Sequence, residues 1–262
     1  MKTNKRYPNF LQRITSVWYR HFRVYTKNLI TNGLPPFLEP LIFLAGIGLG
    51  LGNFVGINTM DGLSFLEFLA SGLMVSTAMM TSAFECSYGT FIRLEFDRVY
   101  DGMLAAPLSV ENIFMGEILW AGSKGFFFSL AVLIIIRIFG VINTPGSFIV
   151  PLIGFLTGLM FSSLSLFITS IVKNIDQYNF YFSGFLSPMF FFSGIVFPVS
   201  SLPLPLRVIS ELLPLTHSVR LSRALTFGRY EWINILDVFF ILAFTTVFAF
   251  VGIRRLRKKI ID

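Results

Sequence analysis

The chain has 262 residues and a formal charge of +7; 54% of it is hydrophobic and only 13% charged. A soluble domain carries about a quarter charged residues, and 32 phenylalanines exceed what a water-soluble fold of this length can hide. With a mean hydropathy of +0.73, composition excludes a soluble enzyme and predicts an all-α membrane protein, with no room for a separate soluble module.

The first element is read over residues 10–29, FLQRITSVWYRHFRVYTKNL. Leu11, Ile14, Trp18, Phe22, Tyr25 and Leu29 recur at helical spacing on one face, with Arg13, Ser16, Arg20, Arg23 and Lys27 opposite. A basic amphipathic helix edged by Trp and Tyr is expected to lie in the membrane interface. It serves either as a passive anchor or as a lever. Residues 1–33 thus form a tail and interface helix, and 34–262 a single transmembrane domain. The basic N-terminus precedes the first apolar run by some thirty residues with no short h-region, so no cleavable leader is expected.

A spanning helix needs about 20 mostly apolar residues. Six segments qualify: 34–53, 65–91, 112–139, 147–172, 177–197 and 233–253. Glu39-Pro40 predicts a polar or kinked start to the first. Lys and Arg are retained on the cytoplasmic side. Lys2, Lys5, Arg6, Arg13, Arg20, Arg23 and Lys27 precede span one, and Arg254, Arg255, Arg257, Lys258 and Lys259 follow span six. Both termini are therefore expected in the cytoplasm, and the net charge reads as a topology signal with some attraction to anionic lipids. Basic residues flank spans instead of lining an aromatic groove, which argues against nucleic acid. Cys86, the single cysteine, cannot form an intramolecular disulfide and reads as a packed side chain.

Between spans two and three, RLEFDRVYDGMLAAPLSVENI places Arg93, Glu95, Asp97, Arg98 and Asp101 in one island. A turn between two membrane helices needs fewer charges. The segment is predicted to be a short helix, roughly Arg93 to Ala105, ended by Pro107. Glu85, Glu117 and Lys124 fall inside spans two and three, where an ionisable group costs a few kcal/mol. Glu117 and Lys124 are seven apart on one helix face, and antiparallel packing brings Glu85 to the same region. The cluster either fixes how the two spans pack, or contacts a polar substrate or transmits movement from the island.

The aromatic run FYFSGFLSPMFFFSGIVF, Phe180 to Phe197, reads either as a packed or lipid-facing span or as rings that stack on sugars. Gly184, Ser187, Ser193 and Gly194 would permit close helix approach, at a dimer contact for example. Pro203, Pro205, Pro214 and Gly228 then break the stretch before span six into two half-helices too short to span the bilayer. They are expected to be re-entrant or interfacial on the outer side, packed on the bundle or lining an exit path. Arg207 and Glu211 are spaced for a helical ion pair. Arg220 and Arg223 read as snorkelling anchors or as contacts to lipid phosphate or an anionic substrate.

No G-x-x-x-x-G-K-[ST] loop exists, so ATP is not bound by that route. His21, His217 and one cysteine make no metal cluster, and no catalytic Ser/His/Asp set is recognisable. An interface helix, a charged island after span two and proline-broken half-helices before span six form a layout that resembles the permease subunits of type-2 ABC exporters. FECSYGTFIRLEFDRVYDGMLAAPLSVENIFMGEILWAGSK, Phe84 to Lys124, is similar to the family's coupling-helix region. SGIVFPVSSLPLPLRVISELLPLTHSVRLSRALTFG, Ser193 to Gly228, is similar to its proline-spaced signature. Phe-Glu at 84–85, Ala-Ala-Pro-Leu-Ser at 105–109 and Gly-Glu-Ile-Leu-Trp at 116–120 resemble the nodulation-factor (lipo-chitooligosaccharide) exporter branch.

The resemblance implies a half-transporter of a bacterial inner membrane that pairs with a second copy. Each copy rests its 93–106 island on a separate ATPase subunit, which holds the ATP and Mg. The cargo it implies is amphipathic, drawn from the inner leaflet. Two other readings stay open: a secondary transporter or channel using Glu85, Glu117 and Lys124, and a membrane enzyme acting on lipid-linked substrates.

Overall fold

The computed structural model describes residues 8–50 and 62–261, and every regular element among them is helical. Helix α1 covers Phe10–Lys27 and is followed by a short turn, Leu29–Gly33. Helix α2, Pro35–Phe43, contains Pro40 and opens into a wide π turn, Leu44–Leu49. The far end of the expected first span, 51–53, lies outside the described residues, as do Lys2, Lys5 and Arg6. Helix α3, Phe65–Phe84, continues through two more π turns, Glu85–Gly89 and Ile92–Phe96. Then come α4, Val99–Leu104, α5, Val110–Ile138, and α6, Val150–Ile171. A broken run at 178–192, here α7, precedes α8, Leu204–Leu212, α9, Pro214–Phe227, and α10, Ile233–Ile261.

Local chemistry sets the helix ends. Ser64 starts α3 with a capping box: its hydroxyl accepts from Glu67 N at 3.2 Å while Ser64 N donates back to the Glu67 carboxylate at 2.9 Å. Ser109 does the same for α5 with Asn112. Pro214 opens α9, where its missing N–H costs nothing, and Gly228 closes it at φ 67°.

Helix α6 is the centre of the bundle, packed against α3, α5 and α10. Small residues let it approach α5. A Cβ on Gly125 would lie 2.7 Å from the Gly154 carbonyl, and one on Gly158 would lie 2.9 Å from Gly122 Cα. Helix α10 packs one side on α6 and leaves Ile235, Leu236, Phe239, Leu242, Val247 and Phe250 exposed, an apolar face suited to lipid. Five helices among the described residues are long and apolar enough to cross a membrane. The expected span 177–197 is helical only to Phe192 and in three pieces, so it is not among those five. In that run Phe180, Phe185 and Phe191 point outward, and Gly184 has open space around it.

The charged island departs from the expectation of one helix over 93–105. Arg93 still belongs to the π-turn extension of α3, and the chain breaks only at Asp97 and Arg98. Arg98 sits in the left-handed region at φ 46°, unusual for a side chain of its size, and turns the backbone sharply into α4. Helix α1 also does more than lie on a surface. It buries Ile14, Val17 and His21 against α5, and the docking depends on Gly116, where a Cβ would stand 2.6 Å from Val17 Cβ. Arg257 of α10 meets Glu111 at the start of α5, and Lys259 meets Glu95, so the last turns of α10 lie at the end of the bundle that carries α4.

Candidate functional site

Glu117 sits one helical turn before Trp120 on α5, with a fully buried side chain. An unpaired carboxylate there would be costly, and four neighbours surround it. Tyr100 of α4 donates to Oε1 at 2.5 Å, and Thr90 of the α3 extension donates to Oε2 at 2.9 Å. Arg93 Nε lies 3.0 Å from Oε1, and His21 Nε2 of α1 lies 3.4 Å from the same oxygen without making a hydrogen bond. Burial, then the adjacent Glu117 carboxylate, holds the Tyr100 hydroxyl well above its ordinary pKa, so Tyr100 remains the donor.

Arg93 extends the network. Its Nη1 donates to Glu85 Oε1 at 2.9 Å, and its Nη2 to the Glu85 carbonyl at 3.1 Å. The other Glu85 oxygen accepts from Lys124 Nζ at 2.9 Å. Two carboxylates and two cations therefore alternate in one chain, Lys124–Glu85–Arg93–Glu117. The expected cluster of Glu85, Glu117 and Lys124 is brought together, but Lys124 meets Glu85, and Arg93 does the joining. The π turns at 85–89 and 92–96 matter here, since such turns displace side chains from the regular helical register. Around the chain, the Trp120 ring contacts Trp18, His21, Phe22 and Tyr25 of α1, and Trp18 Nε1 donates to Ser123 Oγ at 2.9 Å.

The island thus divides. Arg93 points inward, to Glu85 and Glu117. Glu95 turns to Lys259 of the C-terminal helix at 2.9 Å. Asp97, Arg98 and Asp101 are exposed, and Phe96 beside them is 66% exposed. Helix α4 buries Tyr100 and Met103 and offers Asp101 to solvent.

A second polar cluster lies at the opposite end. Asp237 of α10 is buried and accepts from Arg220 Nε at 3.0 Å and Nη2 at 2.8 Å. His217 Nδ1 stands 2.7 Å from the same carboxylate, with its ring stacked on Phe240. Arg220 Nη1 donates to both oxygens of Glu211 on α8. Glu211 is therefore paired with Arg220 and not with Arg207, whose guanidinium reaches the Ser200 carbonyl. Arg223 donates to the carbonyls of Gly194 and Phe68 and lies 3.5 Å from the centre of the Phe68 ring. Neither Arg220 nor Arg223 is a snorkelling anchor, since each is tied to the protein. Pro203 precedes α8, whose Leu204, Val208 and Leu212 stay exposed.

Sequence reasoning missed His21, Thr90, Tyr100 and Asp237. His21 stands seven residues after Ile14, on the apolar stripe, and a polar group at a stripe position was the available sign. Among the described residues no group of acidic, His or Cys side chains is arranged to hold a metal ion.

Comparison with known proteins places these features in a family. The ABC-2 type transporter family model matches residues 12–227. Nodulation protein J of Sinorhizobium fredii is 37% identical over 209 residues, covering 79% of each chain. Nodulation protein J of Rhizobium meliloti is 33% identical, covering 81% of this chain and 80% of the relative. The inner membrane transport permease YadH of Escherichia coli is 22% identical over 91% of this chain and 90% of its own.

Proposed function

The chain belongs to the ABC-2 type transporter family and is a multi-pass membrane protein, and from that premise we propose that it is the permease subunit of an ATP-driven exporter. Two copies pair in a bacterial inner membrane and work with two copies of a separate ABC ATPase, which holds the ATP and Mg. The run at 178–192 completes six spans, the end that carries α1, α4 and both termini faces the cytoplasm, and α8 and α9 lie on the outer side. Relatives named for nodulation favour an amphipathic cargo of the lipo-chitooligosaccharide or glycolipid class, drawn from the inner leaflet.

One observation carries the reading: a continuous buried charge chain joins the exposed corner to the spans. Asp97, Arg98 and Asp101 are available to a soluble partner, while Tyr100 on the same short helix is bonded to Glu117 in the middle of the network. A push on α4 therefore reaches α5 through Tyr100, α3 through Arg93 and α1 through the His21–Trp120 contact. An ion-coupled carrier would need an intramembrane carboxylate able to exchange partners, whereas both oxygens of Glu85 and of Glu117 are already engaged.

The test is copurification and uncoupling. Expressed with its candidate ATPase in mild detergent, the tagged chain should retain that subunit, and export should require ATP. The double charge reversal Asp97→Lys, Arg98→Glu should leave folded yield unchanged and abolish export. No retained ATPase, or export unaltered by the reversal, would overturn the reading.

A further inference from the structure

A slot of about 330 Å³ lies between α1, the start of α2 and α5. Its volume is at the low end of the roughly 300–1,000 Å³ common for organic-ligand sites. Along α5 it runs from Trp120 to Ile134, a length of about 21 Å for a helix. The hydrocarbon of one leaflet is about 15 Å deep, so the slot has the reach of a lipid tail. It opens sideways, since Phe37, Phe127 and Ile134 on its walls are exposed.

The walls select hydrocarbon. Their polar groups are engaged elsewhere: Tyr25 Oη donates to the Asn32 carbonyl at 2.6 Å, Thr26 Oγ1 to that of Phe22 at 3.0 Å, and Lys124 Nζ to Glu85 at 2.9 Å. The rest of the lining is aromatic, aliphatic or glycine, and a water there would lack the partners it needs. The rim on α1 is different. Arg23 and Lys27 are exposed there, one turn apart, and each adjoins a wall residue, Phe22 and Thr26. Neither makes an ion pair among the described residues. Two such cations beside an apolar slot complement a molecule with a hydrocarbon tail and an anionic head.

We propose that the slot binds one anionic phospholipid of the surrounding leaflet, with an acyl chain along α5 and the phosphate against Arg23 and Lys27. The tail fills space that α1, α2 and α5 leave between them. It touches Trp120 and Lys124, so the lipid joins the interface helix to the buried charge chain. The assignment rests on the exporter reading only for calling that leaflet the inner one.

The experiment counts, by native mass spectrometry, the lipids the purified chain retains on release from nanodiscs of equal parts phosphatidylglycerol and phosphatidylcholine. One phosphatidylglycerol per copy should be retained in preference to phosphatidylcholine. The exposed double variant Arg23→Gln/Lys27→Gln should lower that preference on the order of tenfold. Gly33→Leu keeps both charges and fills the slot; an added Cβ there meets only Leu29, at 3.9 Å, so the fold should hold. It should abolish retention, which a mere attraction of lipid to the basic face of α1 would survive. Equal retention of the two lipids, no retained lipid, or a preference unchanged in either variant would each overturn the site. No ATPase is present, so such a failure leaves the exporter reading standing, and loss of the ATPase partner leaves the lipid count unaffected.

Discussion

At the end that carries α4, Glu117 is buried against Arg93, Tyr100, Thr90 and His21; at the other end, Asp237 is buried against Arg220 and His217. The chemistry is the same, a carboxylate held by an arginine with a histidine beside it. The surroundings differ. Arg93 is 16% exposed and continues into a second buried pair with Glu85, so the charges link α1, α3, α4 and α5 with little help from water. Arg220 is 24% exposed and its second partner, Glu211, is 42% exposed beside an open cavity. A drier network transmits displacement better, because its centre, Glu117, is sealed from water and cannot replace a lost partner with solvent. A wetter one tolerates such a loss because its members can.

The sharpest way to break this comparison is to remove each central carboxylate. Breaking a buried pair by deleting one partner costs about 3–5 kcal/mol. Glu117→Ala should approach that figure, take one of its two carboxylates from Arg93, leave the buried Tyr100 hydroxyl without its acceptor, and lower both thermal stability and export. Asp237→Ala should cost less, because Arg220 keeps Glu211 and solvent. Unfolding of the two purified variants in detergent measures the difference directly. Equal losses would mean that the two clusters are equivalent and that dryness confers no special role.

Tyr100→Phe isolates the joint between α4 and the network. A hydrogen bond to a charged group is worth roughly 1.5–3 kcal/mol, and Glu117 retains Thr90 and Arg93. The variant should fold, hydrolyse ATP with its partner and export slowly, so the ratio of export to hydrolysis is the quantity to measure. A normal ratio would show that movement bypasses Tyr100. Gly116→Val addresses the α1 side. Overpacking costs about 1–3 kcal/mol, and the new side chain meets Val17 Cβ, which cannot swing away. Release of α1, read by protease accessibility near Arg20, should accompany a smaller loss of export.

How much of this was legible in the sequence follows from the same contrast. Long apolar runs and the breaks at Pro214 and Gly228 are local features, and residue order displays them directly; the caps at Ser64 and Ser109 are equally local but went unread. The meeting of Glu85 and Lys124 was also within reach, because a buried charge needs an opposite one. Arg93 and Tyr100 were not. Their inward turn depends on two π turns and on the left-handed backbone of Arg98, and nothing in the composition of RLEFDRVYD marks where a helix widens. The last piece of the expected first span and the basic residues before Tyr7 lie outside the described residues. Helical spacing alone misled at Arg207 and Glu211, where a tertiary partner competed with a neighbour.

That competition yields the smallest expected effect and a sensitive check on the wet end. A solvent-exposed helical pair is worth about 0.3–0.5 kcal/mol at best, and Arg207 does not form even that, since its contact is a backbone carbonyl at the surface. Glu211, by contrast, accepts two hydrogen bonds from Arg220 at 3.0 and 3.1 Å, from a residue that also braces Asp237. Arg207→Ala should therefore leave thermal stability unchanged, while Glu211→Ala should lower it slightly, by less than Asp237→Ala, with solvent replacing part of what is lost. A double variant matching Glu211→Ala alone would place α8 under the control of α9 and α10. If Arg207→Ala proved the more damaging single change, helical spacing would outrank the tertiary pairing, and the bracing of the cavity wall by Arg220 would have to be redrawn.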